Sequence, residues 1–457
     1  MRKLLAVRIP LAALVVLLCA ALGPSSATAT HLTDTGSPGG PTTPWGFNEG
    51  WGFSPGTWSP DLATRQIEIA GAIMPDSLSA DRFHVNWRDV EFVRDQYDWS
   101  RTDHVYQAMR ASSVEPVMLI FQAPEWARDP AATCPSSSPC AYPPHSQYDG
   151  EWQQFVNDAV SRYPAVRTIE VWNEPNLGLF WAPAPDPQRY AEVLAAAHDA
   201  VAAAGSSAPV TTGGLSPVKT TSATRTSSRE FLRETYKQGC ACDFEGIGSH
   251  PYPNSAPLVD DMWREINRMR AVRDNQGDSG TPLWITEVGV SSDATAGVGL
   301  DAQGDELVRL YRSIEGHEIE SFVIHRLQDV TGETPYWNQT GVVDQNLAPK
   351  PAYCELGSAI GTPCPDTQAP ETRIDSGPKG NTTNASPSFT FSSSEPNSSF
   401  ECRLDSGTWS SCSSPKSYQN LAAGNHIFEV RATDQAGNTD PTPAARAFTV
   451  VKRGKKG

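Results

Sequence analysis

Between Thr43 and Pro351 the chain alternates short apolar runs with longer stretches in which apolar residues recur at helical spacing. The runs are Arg82–Trp87 (RFHVNW), Glu115–Gln122 (EPVMLIFQ), Thr168–Glu174 (TIEVWNE), Pro209–Ser216 (PVTTGGLS), Phe244–Tyr252 (FEGIGSHPY), Leu283–Gly289 (LWITEVG) and Ser321–Leu327 (SFVIHRL). An eighth candidate is Trp45–Phe53 (WGFNEGWGF). Near-continuous apolar runs of this length suit strands buried on both faces. The amphipathic stretches predict helices at Trp152–Tyr163, Asp186–Gly205 and Leu258–Gly277. In the second, Asp186 stands at the cap, Pro187 in the first turn and Gly205 at the stop. Buried strands separated by helices imply parallel pairing through helical crossovers. Eight such units over roughly 300 residues predict a (β/α)8 TIM barrel. A doubly wound open sheet shares the periodicity and stands as the alternative.

The pattern changes after Cys364. A Pro-rich hinge, PCPDTQAPETR (Pro363–Arg373), leads into short alternating runs split by Ser, Gly, Asn and Pro: Ser388–Ser394, Ser399–Asp405, His426–Asp434 and Ala447–Val451. With no helical period and strands about ten residues apart, 365–451 predicts a small all-β sandwich. Residues 452–457 form a basic tail. At the other end, Arg2 and Lys3 precede an apolar run from Leu11 to Leu22 and then GPSSATAT. That is the layout of a secretory signal peptide, 1–29, cleaved after Ala29, with 30–42 a flexible lead into a barrel over 43–364. The apolar run is shorter than the ~20 residues a membrane span needs.

Export fits the cysteines. Of nine, Cys19 leaves with the signal, and the rest fall in close pairs: Cys134/Cys140, Cys240/Cys242, Cys354/Cys364 and Cys402/Cys412. Local pairing is the simplest disulfide expectation, with Cys240/Cys242 the doubtful pair because so small a ring is strained. The spacings lack the C-x2-C and paired histidines of a zinc site, so no metal and no cofactor are expected. A formal charge of −16 argues against nucleic acid or an anionic membrane as partner. No G-x-S-x-G elbow is present, which argues against a serine esterase.

Two apolar runs end on an acid, Glu174 in TIEVWNEP and Glu287 in LWITEVG. Leaving a charge at the end of a buried strand is costly without a purpose. In a parallel barrel, chemistry gathers at the C-terminal ends of the strands. Counting runs places these acids on the fourth and seventh strands, so both face one mouth. Two opposed carboxyl groups are the machinery of glycoside hydrolysis. Burial and like charge are expected to keep Glu174 protonated as the acid, with Glu287 ionised as nucleophile. Arg82 is expected to hold Glu287, and Asn173 to meet the sugar's 2-hydroxyl.

These segments resemble the clan A glycoside hydrolases, retaining (β/α)8 enzymes, over about Trp45–Tyr353. In that group the acid/base follows Asn in a W-N-E-P stretch, matched here by Trp172–Pro175, and the nucleophile ends strand seven, matched by Glu287. The resemblance further implies Arg82 from the strand-two motif and His250 and Tyr252 from SHPYP. Tyr97–Trp99 (YDW) and Ala123–Ala127 (APEWA) are most similar to the xylosidase- and cellulase-related branches. There is one departure: where strand eight often presents Trp, FVIHRLQD offers His325, with Trp337 further on as a substitute floor. Trp126 and Trp181 are further candidates for stacking on sugar faces. The C-terminal unit resembles bacterial immunoglobulin-like domains at FECRLD, HIFEVRATD and DQAGNTDP. The expectation is therefore a secreted glycosidase with a carbohydrate substrate and a surface- or glycan-contacting sandwich. The alternative is a glycan-binding protein on a degenerate barrel.

Overall fold

The computed structural model describes residues 43–48, 59–74, 79–135, 140–241, 243–359, 362, 366, 369–435 and 437–452. The proposed signal peptide lies outside them. They fall into two compact units, dividing between Cys364 and Pro365.

In the first unit the strands are β1 (Trp45–Phe47), β2 (Asp81–Asn86), β3 (Pro116–Phe121), β4 (Thr168–Val171), β5 (Val210–Thr212), β6 (Ile247–Ser249), β7 (Leu283–Val288) and β8 (Ile319–Ile324). All pair in parallel, in two four-stranded arcs, β2-β3-β4-β5 and β1-β8-β7-β6. Single parallel bridges join the arcs: Trp45 to Ser79 and Asn48 to Arg82 on one side, Thr211 to Gly246 and Leu215 to Ser249 on the other. The result is a closed (β/α)8 barrel, so the open-sheet alternative is set aside. Predicted helices appear at Asp149–Arg162, Pro187–Ala203 and Leu258–Asn275. Asp186 caps the second, accepting from the backbone N–H of Gln188 and Arg189 at 3.1 and 3.0 Å.

Side chains alternate along β2. Phe83 turns outward onto Tyr106 and Tyr163, and Arg82 turns inward to Glu170 of β4. The interior is therefore partly ionic rather than wholly aliphatic. A second buried acid lies at the start of β2. Asp81 accepts from the Phe47 N–H, but its Oδ2 has no hydrogen-bond partner among the described residues, and burial pushes its pKa up to about 7. A carboxyl whose folded pKa exceeds its unfolded value holds its proton longer when folded, so stability falls as pH rises from about 4 to 7. We predict that Asp81→Asn flattens this slope, raising Tm at pH 8 relative to pH 4; parallel wild-type and variant melting curves across that range would contradict it.

The second unit is all-β: β9 (Thr372–Ser376), β10 (Gly380–Thr382), β11 (Ser388–Ser393), β12 (Ser399–Leu404), β13 (Ser410–Cys412), β14 (Lys416–Ser417), β15 (Gly424–Thr433) and β16 (Ala444–Val450). Its sheets run β10-β16-β15-β12-β13 and β14-β11-β9. Ile374, Phe389, Phe391, Phe428, Val430, Phe448 and Val450 fill its core, with Phe389 stacked on Phe428 at 4.2 Å.

Disulfides join Cys134 to Cys140 and Cys402 to Cys412, the latter tying β12 to β13. Cys354 is disulfide-bonded as well, and Cys364 and Cys242 lie outside the described residues. The expected Cys240/Cys242 pair is corrected: Cys240 is a buried free thiol donating to the Thr235 carbonyl at 3.2 Å. Two cysteines one residue apart close too small a ring, and burial pushes this thiol up to about 12, away from reactivity.

Candidate active site

Glu174 and Glu287 both sit at the C-terminal ends of barrel strands. Glu287 is within β7; Glu174 follows β4 in a turn where Trp172 (φ 79°) and Glu174 (φ 41°) adopt left-handed backbone. Such conformations cost about 1–3 kcal/mol each and persist only where neighbours over-determine them. Here the Trp172 N–H donates to Ile120 at 2.9 Å and its indole to Phe180 at 2.6 Å. The Glu174 N–H donates to Gly214 at 3.1 Å. Asn176 clamps the turn to Ser216 and Thr226 through bonds of 2.9–3.0 Å. Gly214 must lack a side chain, because a Cβ there would lie 2.2 Å from His250 Nε2.

Glu287 is held by donors on both oxygens. Oε2 accepts from Arg82 Nη1 at 3.0 Å and Asn48 Nδ2 at 2.8 Å. Oε1 accepts from the Tyr252 hydroxyl and from His325 Nδ1, the latter at 2.8 Å. Burial works to raise its pKa, but His250, His325 and Arg82 outweigh it and hold the carboxyl well below the usual range. Burial and the Glu287 charge push the Tyr252 phenol well up, so it remains an O–H donor.

Arg82 is fully buried and orders the interior. It grips Glu170 with two bonds, 2.7 and 3.0 Å, and reaches Asn173 Oδ1 at 2.9 Å with the same arm. Burial opposes its charge, yet Glu170 and Glu287, then Glu174, keep it raised. Glu170 is completed by Thr286 Oγ1 at 2.8 Å and the Gly214 N–H at 2.7 Å. Asn173 turns its oxygen to Arg82, and its amide nitrogen has no side-chain or backbone partner among the described residues.

Glu174 is less encumbered. The side-chain hydrogen bond it makes among the described residues is to His250 Nδ1 at 3.0 Å. The two acids nonetheless share one electrostatic neighbourhood. Both act on Arg82 and on Tyr252, and His250 bears on both.

Of the candidates at the rim, Trp337 joins this group, edge-to-face with Tyr252 at 5.0 Å and beside His325 at 5.1 Å. Trp181 does not present itself to sugar and is corrected; Trp126 is half-buried, with one ring face covered. Trp181 is 1% exposed, packed against Trp172 and Tyr190. Trp126 donates its N–H to the Glu91 carbonyl and carries the Arg94 guanidinium 5.4 Å over one face of its ring. Residues not singled out in the sequence also belong here: Asn48, Glu170, Thr286, and His84, which lies 2.8 Å from Asn48 Oδ1. Burial and Arg82 push His84 down to about 3, so it is neutral and donates to that oxygen. Asn48 was visible only as part of a weak first strand.

No family model matches the chain, and no curated protein does. Solved structures do. The chain is similar to a family 39 glycoside hydrolase from the gut symbiont Bacteroides cellulosilyticus, at 16% identity and TM-score 0.53, covering 89% of this chain and 79% of that one. It is similar to a family 39 beta-xylosidase from Caulobacter crescentus at 19% identity and TM-score 0.52, covering 80% and 83%. An exo-beta-1,4-mannosidase from an Opitutaceae bacterium aligns at 15% identity and TM-score 0.50, over 70% and 60%. Identities this low establish a shared fold.

Proposed function

We propose that the chain is a secreted retaining glycoside hydrolase acting on β-linked poly- or oligosaccharides, with Glu287 as nucleophile and Glu174 as acid/base. The observation that carries this is the asymmetry of the two carboxyls. Among the described residues Glu287 collects four donors and a depressed pKa, whereas Glu174 keeps a single histidine partner. One group is built to stay charged, the other is left able to exchange a proton, which is the division of labour glycoside hydrolysis needs. In the first step Glu287 attacks the anomeric carbon while the glycosidic C–O bond breaks and the leaving oxygen takes the Glu174 proton. Water then gives a proton back to Glu174 as it attacks the same carbon, and the ester to Glu287 breaks. Asn173, with its oxygen fixed by Arg82, has its amide nitrogen free for the 2-hydroxyl. Tyr252, Trp337 and His325 frame the sugar.

The neighbours' names, a β-xylosidase and a β-1,4-mannosidase, favour a β-linked substrate. Export follows from the signal-like N-terminus and agrees with the disulfides and with the absence, among the described residues, of a helix able to span a membrane. The layout we propose is signal peptide 1–29, lead 30–42, barrel 43–364, immunoglobulin-like sandwich 365–451 for surface or glycan contact, and tail 452–457.

The reading is tested on a panel of nitrophenyl β-glycosides and matching oligosaccharides. Glu174→Gln is expected to lose roughly 100-fold or more on oligosaccharides, whose leaving group needs a proton, and far less on dinitrophenyl glycosides, which do not. Equal losses on both would remove Glu174 from the acid/base role.

A further inference from the structure

We propose that Oε1 of Glu287 is the oxygen that attacks the sugar, and that His325 is the catalytic residue that makes this possible. The proposal rests on the functional reading above and extends it to His325, at the strand-eight position where the resembled family often presents a tryptophan.

A carboxylate has about four lone-pair positions, and Glu287 has four donors, two on each oxygen. An oxygen that forms a bond to carbon must release a lone pair, so one donor must lose its acceptor. A buried donor left without one is expensive. On the Oε2 side, Asn48 is pinned by His84 through its carbonyl at 2.8 Å, Arg82 is fixed by Glu170 and Asn173, and the second acceptor that Arg82 Nη1 faces, Asn48 Oδ1, is distant at 3.4 Å. If Oε2 attacked, the Asn48 amide would have no second acceptor among its described contacts.

The Oε1 side differs. His325 Nδ1 lies 2.8 Å from Oε1 and also 2.6 Å from the Tyr252 oxygen. A carboxylate only accepts, so Nδ1 carries its proton, and that N–H already faces two acceptors. When Oε1 turns its lone pair to the anomeric carbon, the N–H passes wholly to Tyr252 without moving a ring. In the ground state the same N–H supports the Glu287 charge. The balance is that of double displacement: the Oε1–carbon bond forms, the glycosidic bond breaks, and the leaving oxygen takes the Glu174 proton. His325 gains and loses none. Its Nε2 has no partner among the described residues, and the side chain is 13% exposed beside Trp337.

The two ring nitrogens can be tested separately, because an Asn amide reproduces a donor at the Nδ1 position and a Gln amide one at the Nε2 position. With a substrate the wild type hydrolyses, we expect His325→Phe and His325→Gln to lower kcat by about 10- to 100-fold, the usual weight of one donor on a reacting charge. His325→Asn is expected to retain most of kcat, with any loss in KM. A covalent complex of the wild type with a 2-fluoro sugar should show the ester through Oε1, with His325 bonded to Tyr252. Asn and Gln variants equally impaired, or an ester through Oε2, would overturn the proposal. A wild type inactive on every glycoside would instead refute the functional reading on which it stands.

Discussion

Glu287→Ala is expected to abolish turnover, by roughly 10⁶-fold on the scale of losing a catalytic nucleophile, while azide partly restores it. Removing the side chain leaves a gap lined by Arg82, Asn48, Tyr252 and His325, four groups arranged around a negative charge. A small anion can occupy that gap and attack the anomeric carbon from the face Glu287 used. With Glu174 intact and a good leaving group, the product is a glycosyl azide of inverted configuration. Hydrolysis that survives the substitution, or azide that changes nothing at any concentration, would move the nucleophile elsewhere.

The second large effect is on stability. Arg82→Met leaves Glu170 fully buried with, among the described residues, only Thr286 and a backbone N–H as donors. Removing one partner of a buried ion pair costs about 3–5 kcal/mol, which for a domain of this size lowers Tm by roughly 10 °C. Activity falls as well, by about 100-fold or more, because Glu287 and Asn173 lose their shared donor. Adding Glu170→Leu removes the stranded charge and should recover much of the lost stability without recovering activity. That split separates the two duties of Arg82. A single variant that melts with the wild type would show the pair to be unimportant to the fold.

The strand and helix pattern of the barrel was legible because burial on both faces and helical period are local signals. Glu174 and Glu287 were legible because each ends an apolar run. What escaped was long-range. Asn48 reaches Glu287 across 239 positions of sequence, from the position just after a strand of only three residues. Glu170 sits mid-strand, where an acid reads as one polar residue in an apolar run until Arg82 is seen opposite. The helix Ser100–Ala111 (SRTDHVYQAMRA) went unmarked because it buries little more than Thr102, Val105 and Met109. Trp181, buried rather than presented to sugar, escaped for a related reason: a tryptophan's presence says nothing about which face its neighbours cover. His325 looked like a defect in a familiar pattern. Its contacts with Glu287 and Tyr252 give it a place that spacing along the chain does not reveal.

The first prediction requires that two strand-end acids serve one sugar with unequal duties. Incubating the wild type with a 2-fluoro glycoside bearing a dinitrophenyl leaving group tests this most directly, since the fluorine slows the second step and the intermediate accumulates. The account predicts one sugar per chain by intact mass, and after digestion a label on the peptide containing Glu287. Complete inactivation with the label on another residue, or steady turnover with no covalent adduct and inverted product, would contradict it.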